Sequence, residues 1–331
     1  MVDTEPHAIT ADQFRRAANL MEHQLGRVIV GQENLVHDVM VTLLAGGNAL
    51  LEGVPGLGKT LLVRTLAEIL DGSFNRIQFT PDLMPADIIG TMIISEDASG
   101  QRGFRFEAGP IFANLVLADE INRAAPRTQS ALLEAMQEGH VTVAGESYPL
   151  PRPFFVLATQ NPIEMEGTYP LPEAQIDRFL YKLHVPYPDE EQLIEIARRT
   201  TGVEIPHGNV VAKDSALVAM QHLARQVPVA DGVYRYAARL VGATHPDHGA
   251  IAVIARNLRV GASPRGLQAM ISAAKVEALL DGRKAVAIED VRNVIYPALR
   301  HRLILNFEAQ AEGVSPDSIL DEIVRSIAVP N

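Results

Sequence analysis

One eight-residue string limits the fold of this chain more than any other: Gly53-Val54-Pro55-Gly56-Leu57-Gly58-Lys59-Thr60. An apolar run of strand type at 48–51 leads into it, and a helical pattern at 60–70 comes after it. Strand, glycine-rich turn and helix in that order open a βαβ unit. The chemistry is equally restrictive. Glycines here let backbone N–H groups curl around phosphate oxygens, and the helix N-terminus adds positive potential. Lys59 is placed to reach terminal phosphates, and Thr60 to bind Mg²⁺. A chance match on a Gly-rich turn would not require both a strand before it and a helix after it.

Further apolar runs at 76–79, 115–118 and 154–158, with a weaker one at 181–185, read as strands buried on both faces. Helical spacing lies between them, most clearly at 126–138, where Leu132, Leu133 and Met136 share a face. The expected fold is α/β, a doubly wound parallel sheet with its ligand at the carboxyl ends of the strands. Two helices precede it: one opened by a capping box at Thr10 and Gln13, one carrying Leu35, Val39 and Leu43. Two segments break the alternation, at about 92–107 and 141–150, and each reads as a β-hairpin inserted into the core. On composition alone they are surface excursions.

At Pro186-Tyr187-Pro188 the character changes. Helical patterns occupy 190–200, 215–225, 233–243, 264–280 and 289–300, without a convincing strand. Ser263 then Pro264 is a good N-cap with Pro at the first helical position. The chain therefore divides into an α/β unit at 1–186 and an all-α unit at 187–331. Two units suit 331 residues.

Composition removes several function classes. Forty acidic against 29 basic residues leave a formal charge of −11, which disfavours a chain built to grip nucleic acid. Cysteine is absent, so disulfides and thiolate metal sites are excluded. No apolar run approaches the ~20 residues needed for membrane insertion, and the polar start MVDTEPHAIT does not read as a signal peptide. A cytoplasmic protein is expected.

The run Asn114-Leu-Val-Leu-Ala-Asp119-Glu120 is an apolar strand ending in two acids. Asp119 is placed to hold Mg²⁺ through its waters, and Glu120 to polarise an attacking water. A solvated strand end is the plain alternative, but pairing with the phosphate loop favours the chemical reading. A water-activating acid points to hydrolysis. No Asn-Lys-x-Asp string is present to read guanine, so ATP is favoured. The His245-Pro-Asp-His248 spacing lies in a turn with no third ligand nearby and reads as a polar loop. His301, between Arg300 and Arg302, reads as the basic end of a helix.

Together the phosphate loop, Asp119-Glu120, the strand leading to Asn161-Pro162 and the helical C-terminal part resemble an AAA+ ATPase over nearly the whole chain. Longer strings resemble the MoxR family in particular. They are Asn122-Arg-Ala-Ala-Pro-Arg-Thr-Gln-Ser-Ala-Leu-Leu-Glu-Ala-Met-Gln-Glu138, Leu157-Ala-Thr-Gln-Asn-Pro162, Gly167-Thr-Tyr-Pro-Leu-Pro-Glu-Ala-Gln-Ile-Asp-Arg-Phe179 and Leu299-Arg-His-Arg302. That branch carries one hairpin insertion in its second helix and another before sensor 1. The resemblance thus turns the two excursions into functional elements and the helical unit into a lid.

The resemblance also assigns residues. Val30-Gly31-Gln32-Glu33 matches the box lining the adenine pocket, although a helix-breaking Gly before an N-cap reads equally well from the residues alone. Gly31, Gln32 and the loop from Gly53 through Val54, Pro55, Gly56, Leu57, Gly58, Lys59 and Thr60 to Leu61 would bind nucleotide, with Thr60 and Asp119 on the metal. Leu57 departs from the Thr or Val common in the family, and its side chain is expected to point away from the phosphates. Asn161 matches sensor 1. Arg178 matches the arginine finger that completes a neighbouring subunit's site; its plain alternative is a salt bridge with Asp177 or Glu173. Arg123 and Arg127 are further intersubunit candidates. Arg265 matches sensor 2 and is expected, with Lys59 and Asn161, at the γ-phosphate; whether that nucleotide is its own subunit's or a neighbour's stays open.

In function, the resemblance implies an ATPase that hydrolyses Mg-ATP in a homo-oligomeric ring, a hexamer. It would drive chaperone-like maturation of protein clients with a partner carrying a von Willebrand factor A domain. The alternatives are a metal-chelatase motor subunit, a nucleic-acid motor disfavoured by charge, and a nucleotide-gated scaffold with little turnover.

Overall fold

The computed structural model describes residues 9–96, 102–162, 167–202, 206–248 and 251–329. The turn of the first hairpin, with Gly100, lies outside the described residues. In chain order the first half contains α1 (Ala11–Val28), α2 (Glu33–Leu44), β1 (Ala49–Glu52), α3 (Lys59–Leu70), β2 (Phe74–Gln78), α4 (Pro85–Ile89), β3 (Gly90–Glu96), β4 (Arg102–Ala108), β5 (Leu115–Asp119), α5 (Pro126–Glu138), β6 (His140–Val143), β7 (Glu146–Pro149), β8 (Phe155–Gln160), α6 (Glu173–Ile176) and β9 (Tyr181–His184). Then come α7 (Glu190–Thr200), α8 (Asp214–Gln226), α9 (Asp231–Gly242), α10 (Ala252–Asn257), β10 (Leu258–Val260), α11 (Pro264–Leu280), α12 (Ile288–Leu299), β11 (Ile304–Leu305), α13 (Phe307–Ala311) and α14 (Pro316–Ser326).

The five core strands form one parallel sheet in the order β2-β5-β8-β1-β9. The central strands β5, β8 and β1 are apolar almost without a break because both faces are covered, whereas the edge strands β2 and β9, expected to be buried on both faces, alternate between apolar and polar residues. Ala49, Leu51, Leu115, Leu117, Phe155 and Leu157 enter one buried cluster, while Leu50, Val116, Ala118, Val156 and Ala158 enter another. Successive side chains alternate between the two cores, as the two-residue repeat of a strand requires.

The first cluster does not stop at the sheet. It continues through Phe14, Met21 and Met40 of α1 and α2 into Tyr236, Met270, Ile295 and Leu320 of the later helices. The lid helices thus bury their apolar faces against the N-terminal helices. That packing sets where the N-terminus of α11 points.

Both inserted hairpins are present. In β3/β4, Met92 pairs with Phe106 and Ile94 with Phe104, so one face is apolar. Ile94 and Phe104 are 68% and 75% exposed, while Phe106 stacks on Tyr148 of β7 at 3.9 Å, joining the two hairpins. The turn of β6/β7 has positive φ at Ala144 and Gly145, the geometry that suits a tight hairpin.

The helical part also holds a short antiparallel pair, β10 with β11. A run of two or three residues is too short to show alternation, so the sequence carries no signal for it. Helix α14 lies beyond the helical patterns recognised in the sequence, although Ser315-Pro316 repeats the capping signal of Ser263-Pro264. His301 corrects its expectation. It is not a basic helix end but a partly buried ring bonded to the Phe179 carbonyl at 3.2 Å, and burial together with Arg302 pushes its pKa well below the usual value.

Candidate active site

The phosphate loop runs from the end of β1 to the first turn of α3. Gly56 and Gly58 adopt φ of 86° and 79°, and a Cβ at either would meet nothing within 4 Å. The left-handed backbone, not crowding, is what requires glycine there. Lys59 Nζ donates to the Gly53 carbonyl at 2.6 Å, and partial burial lowers its pKa against the pull of Asp119 and Glu120. Lys59, Thr60, Asp119, Glu120 and Asn161 line one pocket with Arg76 and the loop residues Pro55, Gly56, Gly58 and Leu61. Val54 lies in the loop without lining that pocket, and Gly53 packs where a Cβ would come within 2.8 Å of Val185.

The acids are held from two neighbouring strands and from the turn that follows them. Thr159 on β8 donates its hydroxyl to Asp119 Oδ1 at 2.6 Å and accepts the Glu120 amide at 2.8 Å. From β2, Arg76 reaches Asp119 Oδ2 at 2.6 Å and Gln78 Nε2 donates to Glu120 Oε2 at 2.9 Å. Arg123 also donates to Glu120 Oε2, at 2.9 Å. Glu120 itself sits at φ 56°, ψ 48°, a left-handed conformation that costs on the order of 1–3 kcal/mol in a non-glycine residue. This turn immediately after β5 directs the carboxylate toward the strand ends. The hydroxyl of Thr60 and the carboxylate of Asp119 are hard oxygen donors, which fit Mg²⁺.

Beside the loop lies a second pocket of about 380 Å³, lined by Val28, Ile29, Val30, Gln32, Leu57, Leu61, Tyr187, Leu193 and Ile196. Gln32 Nε2 donates to the Leu57 carbonyl at 3.3 Å, and Gly31, at φ 67°, packs against Gln192 of α7. Leu57 faces this pocket and is absent from the phosphate pocket. Mostly apolar walls with a few polar groups suit a purine base.

Arg178 and Arg265 lie elsewhere. They line a third pocket with Asp177, Gln137, Gln268 and Arg302, sharing no residue with the phosphate pocket. The alternative salt bridges of Arg178 are not formed: Asp177 binds Arg302 and Glu173 binds Arg259. Arg178 Nη1 donates to the Leu133 carbonyl at 2.8 Å, and its buried Nε has no hydrogen-bond partner. Within one subunit Arg265 therefore does not share the pocket of Lys59 and Asn161. Ser263, the N-cap of α11, donates to Asp177 at 2.8 Å and anchors Arg265 beside Arg178. Among the described residues no group of three His, Asp or Glu side chains could hold a metal, and His245 Nε2 lies 3.0 Å from the Ala262 carbonyl.

Sequence reasoning missed Arg76, Gln78, Thr159 and Arg302. Arg76 and Gln78 flank buried Ile77, so strand alternation puts both on one face. Their proximity to the acids follows only from the pairing of Gln78 with Asp119.

A parallel sheet in this order, with a phosphate loop after β1, an acid pair after β5 and a helical lid, defines the AAA+ class of nucleotide-binding proteins. The pattern of the ATPase family associated with various cellular activities (AAA) matches residues 48–181, and that of the AAA lid domain residues 251–323. The chain is 46% identical to Chaperone MoxR1 of Mycobacterium tuberculosis, over 93% of this chain and 81% of that protein. It is 32% identical to Protein MoxR of Paracoccus denitrificans, over 93% and 95%. A crystal structure from Cytophaga hutchinsonii, assigned to an ATPase, superimposes with a TM-score of 0.90 at 41% identity over 97% of both chains. The protein belongs to the MoxR family of AAA+ ATPases.

Proposed function

We propose that this protein hydrolyses Mg-ATP in a homo-oligomeric ring, a hexamer, and uses the cycle for chaperone-like maturation or remodelling of partner proteins. One observation carries the reading. The loop, the acids and Asn161 line one pocket, while Arg178 and Arg265 line another that shares no residue with it. Two arginines set apart from their own nucleotide are suited to a neighbour's.

In this reading Lys59 and the loop amides bind the phosphates, and the base enters the pocket of Gln32, Leu57 and Tyr187. Mg²⁺ would be held by Thr60 and by Asp119 and would supply positive charge to the phosphates. Gln78 and Arg123 hold Glu120 Oε2, which leaves Oε1 to accept a proton from the attacking water. The water oxygen bonds to the γ-phosphorus, the bond to ADP breaks, and the proton passes through Glu120 to phosphate. Asn161 orients the water, and the neighbour's Arg178 and Arg265 stabilise charge on the transferring oxygens.

Protein clients, a von Willebrand factor A partner and a cytoplasmic setting belong to the same proposal, with nucleic acid disfavoured by the charge of −11. Among the described residues no helix is long and apolar enough to cross a membrane.

The test is ATPase activity per subunit against protein concentration. It should rise through the assembly range, and Glu120→Gln should abolish turnover while keeping ATP binding. Activity that stays flat from dilute to concentrated protein would sink the trans arrangement. A turnover-dead Glu120→Gln variant that still performs fully in cells would favour the scaffold.

A further inference from the structure

Arg302 is 6% exposed, and its guanidinium uses all five of its N–H donors. Nε donates to Asp177 Oδ1 at 2.7 Å. Nη2 donates to the carbonyls of Asp177 and Phe179 at 2.9 and 2.8 Å. Nη1 donates to the carbonyls of Leu180 and Ala298, the former at 3.3 Å. Three of these acceptors are backbone oxygens on both sides of Arg178. The neighbouring residues extend the strap: His301 Nε2 meets the Phe179 carbonyl at 3.2 Å, and Arg300 Nη1 the Lys182 carbonyl at 3.3 Å. Asp177 closes the connection, since its Oδ2 accepts the hydroxyl of Ser263 at 2.8 Å and that oxygen in turn accepts the Arg265 amide at 3.1 Å.

A buried charge with every donor satisfied is closed to a ligand. Although Arg302 borders the pocket of Arg178 and Arg265, it has no N–H left for an anion. A lysine would supply charge but only three donors, too few for the five bonds made here. The arrangement is more than the burial of one ion pair needs.

We infer that Arg302 is a positioning residue for hydrolysis in the neighbouring subunit: through Asp177 it fixes the backbone that presents Arg178, and through Asp177 and Ser263 it ties that backbone to Arg265, so the two arginines act as one preset pair. The inference rests on the trans reading of the proposed function. It implies that the Leu299–Arg302 segment sets the strength of a site its own subunit does not contain.

A subunit-mixing experiment tests it. Arg302→Lys alone should lower kcat at least about tenfold, about 1.4 kcal/mol of transition-state stabilisation, and leave the KM for ATP and the oligomeric state unchanged. Mixed in equal amounts with Glu120→Gln, itself inactive, it should recover activity above the sum of the two. The ceiling is about a quarter of wild type, the share of interfaces joining an intact Glu120 to an intact finger in a head-to-tail ring. Asp177→Asn, milder for folding, should complement Glu120→Gln in the same way. The control is Arg178→Ala mixed with Glu120→Gln. If the control complements while Arg302→Lys and Asp177→Asn do not, the positioning role is overturned and the clasp is structural only. If the control also fails, the trans reading of Arg178 falls and takes the inference with it.

Discussion

Thr159 Oγ1 lies 2.6 Å from Asp119 Oδ1, and through the same oxygen it accepts the amide of Glu120 at 2.8 Å. One fully buried hydroxyl therefore holds both acids at the end of β5. Thr159→Val keeps the shape and removes both bonds. It should lower stability by about 1–3 kcal/mol, because a carboxylate oxygen and an N–H lose their partner. It should also reduce kcat about tenfold or more. Thr159→Ser should restore most of both. Denaturant melts and steady-state ATPase rates on the two variants check this; a Val variant with normal kcat would remove Thr159 from the site's architecture.

Arg76 bears on the other oxygen. Its guanidinium reaches Asp119 Oδ2 at 2.6 Å and is about half exposed, with a side-chain exposure of 48%. The contact competes with any Mg²⁺-bound water for that carboxylate. Arg76→Ala should lower the Mg²⁺ concentration for half-maximal activity by roughly threefold, a modest effect because solvent screens the pair. A Mg²⁺ titration at saturating ATP reads it directly. A rise in the Mg²⁺ requirement would instead place Arg76 on the phosphates.

His37 joins the N-terminal helices to the lid. Its ring nitrogens each lie 3.0 Å from a carboxylate, Glu22 of α1 and Glu277 of α11. Hydrogen bonds to Glu22 and then Glu277 raise its pKa to about 10, outweighing burial. A folded-state pKa above the unfolded value of ~6.5 gives stability that is complete below ~6.5 and declines as pH rises through the folded pKa. Thermal unfolding should therefore show a loss of stability between about pH 7 and 10 that His37→Gln flattens. An unchanged slope in the variant would mean that the imidazolium contributes nothing to the lid contact.

Gly31 holds φ at +67°, and an added Cβ would come within 2.2 Å of Gln192 in α7. Gly31→Ala should cost about 1–2 kcal/mol from the left-handed backbone alone. Displacing Gln192 should also weaken nucleotide binding, since Gly31 and Gln192 connect the segment before Gln32 to the helix carrying Leu193 and Ile196. Calorimetric ATP affinity at a temperature where the variant remains folded separates the two effects. Undiminished affinity would dissociate Gly31 from the base pocket.

Much of this architecture is legible in the chain. The helices at Pro126–Glu138 and Pro264–Leu280 follow from periodicity and from Pro126 and Ser263-Pro264 at their starts, which are local signals. The phosphate loop and the acids after β5 are likewise contiguous strings whose backbone is set within a few residues. Arg265 shows where local reading stops. Its place at the head of a helix is evident, but the pocket it enters depends on α11 packing against α1 and α2 and on Ser263 meeting Asp177.

The sequence by itself determined the parts whose physics is short-range: glycines at positive φ, a lysine and a threonine at a helix N-terminus, apolar strands that alternate between two cores, and two acids at a strand end. Only the tertiary structure decided which groups those parts would meet. Strand order brought Arg76, Gln78 and Thr159 to the acids. The shared core of N-terminal helices and lid drew Arg302 across 125 residues of chain onto Asp177, and so set Arg178 beside Arg265 rather than beside Lys59. Such contacts depend on how whole elements bury their apolar faces, and no local pattern encodes that.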